Sequence, residues 1–520
     1  MLWESQCLQW QLAPGYHVST GEARAGAHTM SSTTVPISTP VTPRSPDWVK
    51  LATFAAVAVA AGLAAQSALS AGGQSKSAMV LPVAAGTGIA LGILALTRFQ
   101  AYVMTMLVLR SSLDLAKLSG RAAGTTSVSG SSRALDPSSV LGVLFMLAAA
   151  LWLAAQYRRN GRLEGSKLRT ALVVFLVAGI ASVAGSKNVT ASALEALRIC
   201  AVVVMFVVLE QMMFDRKKMR QVLFAVFLSL VFPLVYTSIG FLSGNPRSET
   251  KGSFTRITGT FNQSNDFGRY LMLMIIMGVA LYPHLERRWR RPLAVMLAMS
   301  GVFLFLTYTR SALVATALGL LVVGIVQSKR IIVALVVAGL AGLLVVPSLA
   351  GRFSDLTQYQ AKQAALHGDN NSGNTLAWRL SYWTEVLPLA NRNPVTGIGL
   401  KMTQFSTDKA KQPHNDFIRA YVETGIVGFV AYVWMMVALL GTGRKALRVA
   451  PERGFDRGVA AGLLGCALAF LAVSLVANVI SNVVNLWYLF AFAAAGAAVV
   501  RRRSLEAAGN VARLPTATGP

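Results

Sequence analysis

The sequence predicts an all-α polytopic membrane protein of about 12–14 transmembrane helices, with a small helical cap on one side. Three observations lead there. The chain is 54% hydrophobic and only 13% charged. Its apolar residues lie in continuous blocks, many near the roughly 20 residues a helix needs to cross a bilayer. The basic residues gather in short segments between those blocks. A segment inside lipid must satisfy its own backbone, which leaves helices or a closed barrel. A barrel requires alternating polarity, and these blocks do not alternate.

Residues 1–47 are polar, contain the tract STTVPISTPVTPRSP, and read as a disordered cytoplasmic tail. No cleavable signal peptide is expected there, and Met30 is a second candidate start. A helix-length hydropathy window then gives spans at Val49–Ala71, Ala78–Leu96, Ala101–Leu109, Ser139–Tyr157, Leu168–Ala184, Leu194–Phe214 and Gln221–Phe241. It continues with Phe267–Tyr282, Pro292–Tyr308, Ser311–Gln327, Ile331–Leu349, Phe417–Leu440, Val459–Ile480 and Val483–Val500. Ala101–Leu109 is short for a crossing. The domain reading is therefore helices over 48–349, a cap over 350–413, further helices over 414–500 and a basic cytoplasmic tail over 501–520.

The formal net charge is +27. In a soluble chain that would suggest nucleic acid; here the positive-inside rule accounts for it, and no nucleic-acid partner is expected. Compact basic loops at Arg158–Arg162, Arg216–Lys218, Arg287–Arg291, Lys329–Arg330, Arg444–Arg448 and Arg501–Arg503 mark one side as cytoplasmic and put both termini there. The opposite side receives Leu113–Pro137, Ser243–Asp266, the tight turn Tyr308–Ser311 and the long insertion Gly351–Pro413, with a short helix around Leu376–Leu389. Cys7, Cys200 and Cys466 are scattered and indicate neither a disulfide framework nor a metal site.

Orientation does not explain three outward arginines. Arg256 lies in TRITGTFNQSND, Arg310 in TYTRSA and Arg379 in WRLSYW. Alone, Arg310 reads equally as a side chain snorkelling to lipid headgroups or as part of an anion site; three such residues on one side favour the anion site. Guanidinium forks suit phosphate, so a phosphate-bearing lipid is the natural ligand. Asn265, at the mouth of the next span, offers an amide contact or a helix N-cap. The outward acidic residues never pair at Asp-x-Asp spacing, so arginine rather than a metal is expected as the counter-charge, and no cofactor is expected.

His414 is the candidate catalytic base, beside Asn415 at the outer end of a span. A neutral imidazole takes a proton from a hydroxyl near neutral pH. An isolated histidine there is more often a headgroup-level surface residue. What raises His414 above that is Gly425 and Gly428 further along the helix, expected to allow close packing against a neighbouring span.

These residues resemble a known family. HNDFIRAYVETGIVG fits the His-Asn, Gly, Gly pattern of the O-antigen ligase and O-antigen polymerase superfamily, at His414, Asn415, Gly425 and Gly428. RLSYWTEVLPLANRNPVTGIGLKMTQF resembles its Arg, Trp, Pro-x-x-Gly-x-Gly stretch, at Arg379, Trp383, Pro394, Gly397 and Gly399. TRITGTFNQSN resembles an Arg-x-x-Gly-x-Phe…Asn element, at Arg256, Gly259, Phe261 and Asn265. TYTRSA keeps the arginine of a Thr-x-Ser-Arg-Gly element, with Thr309 for Ser and Ser311 for Gly. The resemblance covers Arg256 to Gly428.

It implies a GT-C-like fold in a bacterial inner membrane with the active site on the periplasmic face. The implied reaction moves a glycan from undecaprenyl pyrophosphate to an acceptor hydroxyl, with inversion and without metal. His414 would be base or acceptor orienter; Arg256, Arg310, Arg379 and Asn265 would hold the pyrophosphate, with Arg310 also stabilising the leaving group. The acceptor would be lipid A–core in a ligase, a repeat-unit glycan in a polymerase, or a protein Ser or Thr in a related oligosaccharyltransferase. A lipid or polysaccharide flippase, which would bury polar residues at mid-membrane, and a purely structural membrane protein are the competing readings.

Overall fold

The computed structural model describes residues 90–115, 137–251, 254–345 and 375–512. Several expectations lie outside the described residues: the tail over 1–47, the span Val49–Ala71, most of Ala78–Leu96, most of the loop after Leu113, the cap over 350–374 and the end of the basic tail.

Among the described residues the chain is an all-α polytopic membrane protein, in which nine helices are long and apolar enough to cross a bilayer. In chain order the helices are α1 (Phe99–Arg110), α2 (Pro137–Asn160), α3 (Lys167–Ser182), α4 (Val189–Met212), α5 (Arg216–Leu228) and α6 (Val231–Leu242). After a hairpin come α7 (Ser264–Leu281), α8 (Arg287–Leu306), α9 (Arg310–Gln327) and α10 (Lys329–Val345), then α11 (Thr375–Val386), α12 (Asp416–Val449), α13 (Phe455–Ser474) and α14 (Val483–Ala512). Each expected span that falls on described residues meets one of these helices. The short cap helix expected around Leu376–Leu389 is α11.

Gln221–Phe241 falls in one crossing, Arg216–Leu242, that is bent between α5 and α6 at Ser229–Leu230, where the Ser229 hydroxyl turns to the Val226 carbonyl at 2.6 Å and to the Tyr270 hydroxyl at 2.8 Å. Pro233, three residues into α6, has no amide to continue the ladder. Val459–Ile480 is helical only to Ser474; Leu475–Asn482 runs irregularly before α14 starts.

α14 is the central helix, with 89% of its apolar window buried. Trp487, Tyr488 and Phe490 on it are fully enclosed. α13 packs along α9, α7 and α12, and α12 along α3. α9 and α13 cross at Gly319 and Gly465; a Cβ on either would sit 2.8–3.0 Å from the other's carbonyl oxygen. Small residues let backbones approach in lipid, where dispersion rather than water expulsion holds helices together.

The loop Ser243–Asp266 holds a two-stranded antiparallel hairpin, β1 (Ser248–Lys251) with β2 (Phe254–Ile257), in a register that sets Glu249 opposite Arg256. At one end of the bundle Arg216, Arg502 and Arg503 converge on Asp456 at the start of α13. α13 runs from there to the end where His414 lies.

Candidate functional site

His414 precedes α12 in a left-handed conformation, φ 54°. Asn415 is the N-cap of α12, its Oδ1 accepting from the amides of Phe417 at 2.9 Å and Ile418 at 3.2 Å. Such a cap satisfies amides that a helix start leaves unpaired. The loop before His414 is gripped by α11. Trp383 Nε1 donates to the Pro413 carbonyl at 2.6 Å, and the Tyr382 hydroxyl donates to the Lys411 carbonyl at 2.6 Å. α11 also carries Arg379, so one short helix fixes both that arginine and the histidine loop.

α12 is unwound at Gly425, φ 66° and ψ −170°. The Pro394–Gly399 segment docks into the break. The amides of Ile398 and Gly399 donate to the carbonyls of Val422 and Glu423, at 3.1 and 3.0 Å, and the Ile426 amide donates to the Pro394 carbonyl at 2.9 Å. Backbone groups freed by the break are thus satisfied by protein, the condition for irregular backbone at membrane depth. Gly425 and Gly397 are required by these contacts: a Cβ on Gly425 would meet the Val395 carbonyl, and one on Gly397 the Glu423 backbone. The expectation that Gly425 and Gly428 pack against a neighbouring span is therefore revised. Gly425 admits a loop, and a Cβ on Gly428 would meet Thr424 of its own helix.

A buried ionic chain ties this region to α4. Arg419 lies between Glu423, 2.9 Å from Nε, and Glu195 of α4, 3.0 Å from Nη2; all three are almost fully enclosed. Ser481 bonds both Arg419 and Glu195. The Glu423 carboxylate also accepts from the Lys401 amide at 2.7 Å. Asp416, fully buried, accepts from the amides of Val479 and Ile480 at 3.0–3.3 Å and so fixes the irregular segment after α13. That segment presents Asn478, whose carboxamide lies 3.2 Å from His414 Nδ1.

The arginines separate into two groups. Arg256, on β2, is 3% exposed and its guanidinium is taken up by protein. Nε donates to the Thr307 carbonyl at 2.8 Å, and Nη2 to Asn265 Oδ1 at 2.7 Å and Thr309 Oγ1 at 3.0 Å; Glu249 lies 3.6 Å away. Arg256 thus braces the hairpin, α7 and the turn before α9, and it is not among the residues that line the cavity beside His414. Asn265 receives that brace and does line the cavity; the N-cap of α7 is Gln263.

Arg310 opens α9, half-buried, one residue after Thr309, which the Arg256 brace holds. Arg379 is half-buried on α11. Burial, and then the like charges of Arg269 and Arg310, push its guanidinium down to about 10. These three cations therefore share one field. Arg269, in the second turn of α7, is 7% exposed; Nη1 donates to Asp266 at 3.2 Å, and its enclosed Nε has no hydrogen-bond partner.

A cavity of about 480 Å³ lies against Arg269; Arg310 and Arg379 are not among its lining residues. Its polar wall includes His414, Asn478, Asn482, Arg269 and Asn265; its apolar wall includes Met106, Val143, Met146, Leu194 and Leu197. A cavity lined by both cationic and hydrocarbon side chains suits an amphipathic anion.

Of the expected site residues, His414 and Asn265 line the cavity, Arg379 feels the charges of Arg269 on the cavity wall and of Arg310, and Arg256 and Asn415 hold the neighbouring backbone. Arg269, Asn478 and the Glu195–Arg419–Glu423 chain were not foreseen. Arg419 and Glu423 at i,i+4 in an apolar run were a legible pair, as was the polar series Asn478, Ser481, Asn482 and Asn485 in a stretch read as helix. The helices thus contain several buried polar groups, Glu195, Arg269, Arg419 and Glu423, all within about two turns of a helix start.

The family model described as O-Antigen ligase matches residues 293–433. The match contains Arg310, Arg379, the Pro394–Gly399 segment and His414–Gly428, and it supports the O-antigen ligase/polymerase superfamily and a membrane glycan transferase of that type. No curated protein matches the chain.

Proposed function

We propose that the protein transfers a glycan from undecaprenyl pyrophosphate to an acceptor hydroxyl on the periplasmic face of a bacterial inner membrane. The acceptor oxygen attacks the anomeric carbon as the bond from that carbon to the pyrophosphate oxygen breaks. The electron pair leaves with the pyrophosphate, the hydroxyl proton goes to the His414 imidazole, and the anomeric configuration inverts. The cluster of Arg269, Arg310 and Arg379 holds the pyrophosphate and stabilises the charge it gains, while Asn265 adds an amide contact and Arg256 braces Asn265. Preorganised cations at a leaving group are worth about 10²–10³ in rate where a single donor has been removed.

The observation that carries this reading is that Arg269 and His414 line one cavity, while Arg379 feels the like charges of Arg269 and Arg310. Transport does not require a base beside these cations. The acceptor is lipid A–core or a repeat-unit glycan.

Purified protein in vesicles, given an undecaprenyl-pyrophosphate glycan and acceptor, is expected to release one undecaprenyl pyrophosphate per glycan joined. Movement of donor across the vesicle wall without release would instead make it a flippase. In cells, loss of His414 leaving core-only lipopolysaccharide identifies a ligase; lost exopolysaccharide with intact lipopolysaccharide identifies a polymerase.

A further inference from the structure

We propose that Arg216, Arg502 and Arg503 form a binding site for the phosphate of an anionic phospholipid, in the leaflet opposite the His414 cavity.

Three helices build the site. Arg216 opens α5, Asp456 stands in the first turn of α13, and Arg502 and Arg503 lie on the last third of α14. All three guanidinium groups meet the same carboxylate oxygen, Asp456 Oδ2, at 3.1 Å from Arg216, 2.7 Å from Arg502 and 3.0 Å from Arg503. Arg216 and Arg503 donate hydrogen bonds to it. A carboxylate oxygen offers about two lone-pair sites, and these two donors fill them. Arg502 is therefore close without being satisfied: its enclosed Nη2 and Nε make no hydrogen bond, and neither does the enclosed Nε of Arg503. The second oxygen of Asp456, Oδ1, is enclosed and receives no hydrogen bond, so the carboxylate does not absorb all three charges.

The other acid at the cluster is Glu506, 2.8 Å from Arg503 Nη1 and 3.8 Å from Arg502 Nε. It is half-exposed, and such ion pairs are weak. A phosphate that displaces Glu506 reaches Arg502 and Arg503 together and offers several oxygens where the glutamate offers two, in the bidentate geometry that guanidinium groups favour. Arg216, half-exposed, closes the site from α5.

Depth and surroundings select a lipid. Val483, at the start of α14, lines the cavity with His414. From Val483 to Arg502 a helix rises about 29 Å, close to the roughly 30 Å thickness of the hydrocarbon core, so the cluster stands at the headgroup level of the far leaflet. Exposed Phe214 lies just before Arg216, and exposed Leu505 follows Arg502 by one turn of α14. Arg501 Nη2 donates to the Met213 carbonyl at 3.1 Å and so ties these two flanks together. Free phosphate gains nothing from such apolar surface, whereas a phospholipid does. The positive-inside rule requires only basic residues on this side; it does not require three guanidinium groups on one oxygen.

Purified full-length protein in neutral detergent is heated with phosphatidylglycerol, phosphatidylcholine or inorganic phosphate at equal phosphate concentration. Phosphatidylglycerol is expected to raise Tm by about 3 °C or more, and neither of the others to do so. Arg502→Gln combined with Arg503→Gln is expected to lose most of the shift. Arg444→Gln combined with Lys445→Gln, which removes the same charge from the exposed end of α12, is expected to keep it. An equal shift with phosphatidylcholine, a shift reproduced by inorganic phosphate, a shift kept by the folded Arg502 and Arg503 variant, or one lost equally in the Arg444 and Lys445 variant would each overturn the proposal. If the Arg502 and Arg503 variant does not fold, Glu506→Gln decides. Removing the competing carboxylate is expected to enlarge the shift, and an unchanged or smaller shift overturns the site.

Discussion

His414→Ala lowers kcat by about 10²–10⁴-fold, the usual contribution of a positioned base, and leaves donor affinity nearly unchanged. The split follows from position. His414 stands at the mouth of α12 beside Asn478, whereas the three-arginine field is carried by α7, α9 and α11. Removing the imidazole takes away no counter-charge from a pyrophosphate, so the arginines still bind it. The loss then falls on the step in which the acceptor oxygen attacks. Turnover is read with purified protein as release of undecaprenyl pyrophosphate, and affinity as the donor KM. A fall in affinity equal to the fall in kcat would move His414 from the acceptor to the donor side of the site.

Gly425→Val has the second large effect, and it acts on folding. At φ 66° and ψ −170° Gly425 occupies backbone space that a β-branched residue does not enter without strain of about 1–3 kcal/mol. The new Cβ would also meet the Val395 carbonyl, which belongs to the segment filling the break in α12. Relief requires that segment to leave, and its departure strands the carbonyls of Val422 and Glu423 and the amide of Ile426. Each buried group left unpaired costs about 1–3 kcal/mol. The expected result is a Tm in detergent well below wild type, or no monodisperse protein. A Gly425→Val protein that melts like wild type would mean that α12 runs straight and the Pro394–Gly399 segment docks elsewhere.

The two predictions divide along what was legible in the sequence. The spans were legible because a bilayer demands long apolar runs, and such runs do not depend on tertiary partners. His414, Arg310 and Arg379 were legible because their polarity had no local justification at the outer end of apolar blocks. The break at Gly425 was not. A glycine inside an apolar helix reads as close packing, and only the docking of Pro394–Gly399, some thirty residues away in sequence, reveals the unwound turn. The end of α13 at Ser474 was missed for the same reason: Leu475–Asn482 is apolar enough to pass as helix, and its irregular course depends on Asp416 receiving the Val479 and Ile480 amides. Arg256 was singled out by polarity, but the protein groups that brace it were not legible. Its register opposite Glu249 exists only in the hairpin, and a hairpin of two short strands carries little hydropathy signal. Arg269 escaped because a lone arginine two turns into a span reads as a snorkelling side chain, whereas here it is enclosed and aligned with charges from two other elements.

The buried chain from Glu195 through Arg419 to Glu423 gives the site its rigidity. One carboxylate of that chain receives the Lys401 amide, beyond the docked segment, and the other bonds Ser481 next to the histidine's partner. Cavity wall, docked segment and irregular segment are therefore held by one set of ion pairs. Removing a single member of such a buried set costs about 3–5 kcal/mol, because its partner is left charged and enclosed.

The account stands most directly on donor binding. Equilibrium binding of an undecaprenyl-pyrophosphate glycan to purified wild type, Arg379→Gln and His414→Ala tests it in one experiment. The expected result is a Kd raised about tenfold or more by Arg379→Gln, since one charge-assisted phosphate contact is worth about 1.5–3 kcal/mol, and a Kd within about twofold of wild type for His414→Ala. Wild-type affinity in folded Arg379→Gln protein would contradict the assignment of the arginine field to the pyrophosphate.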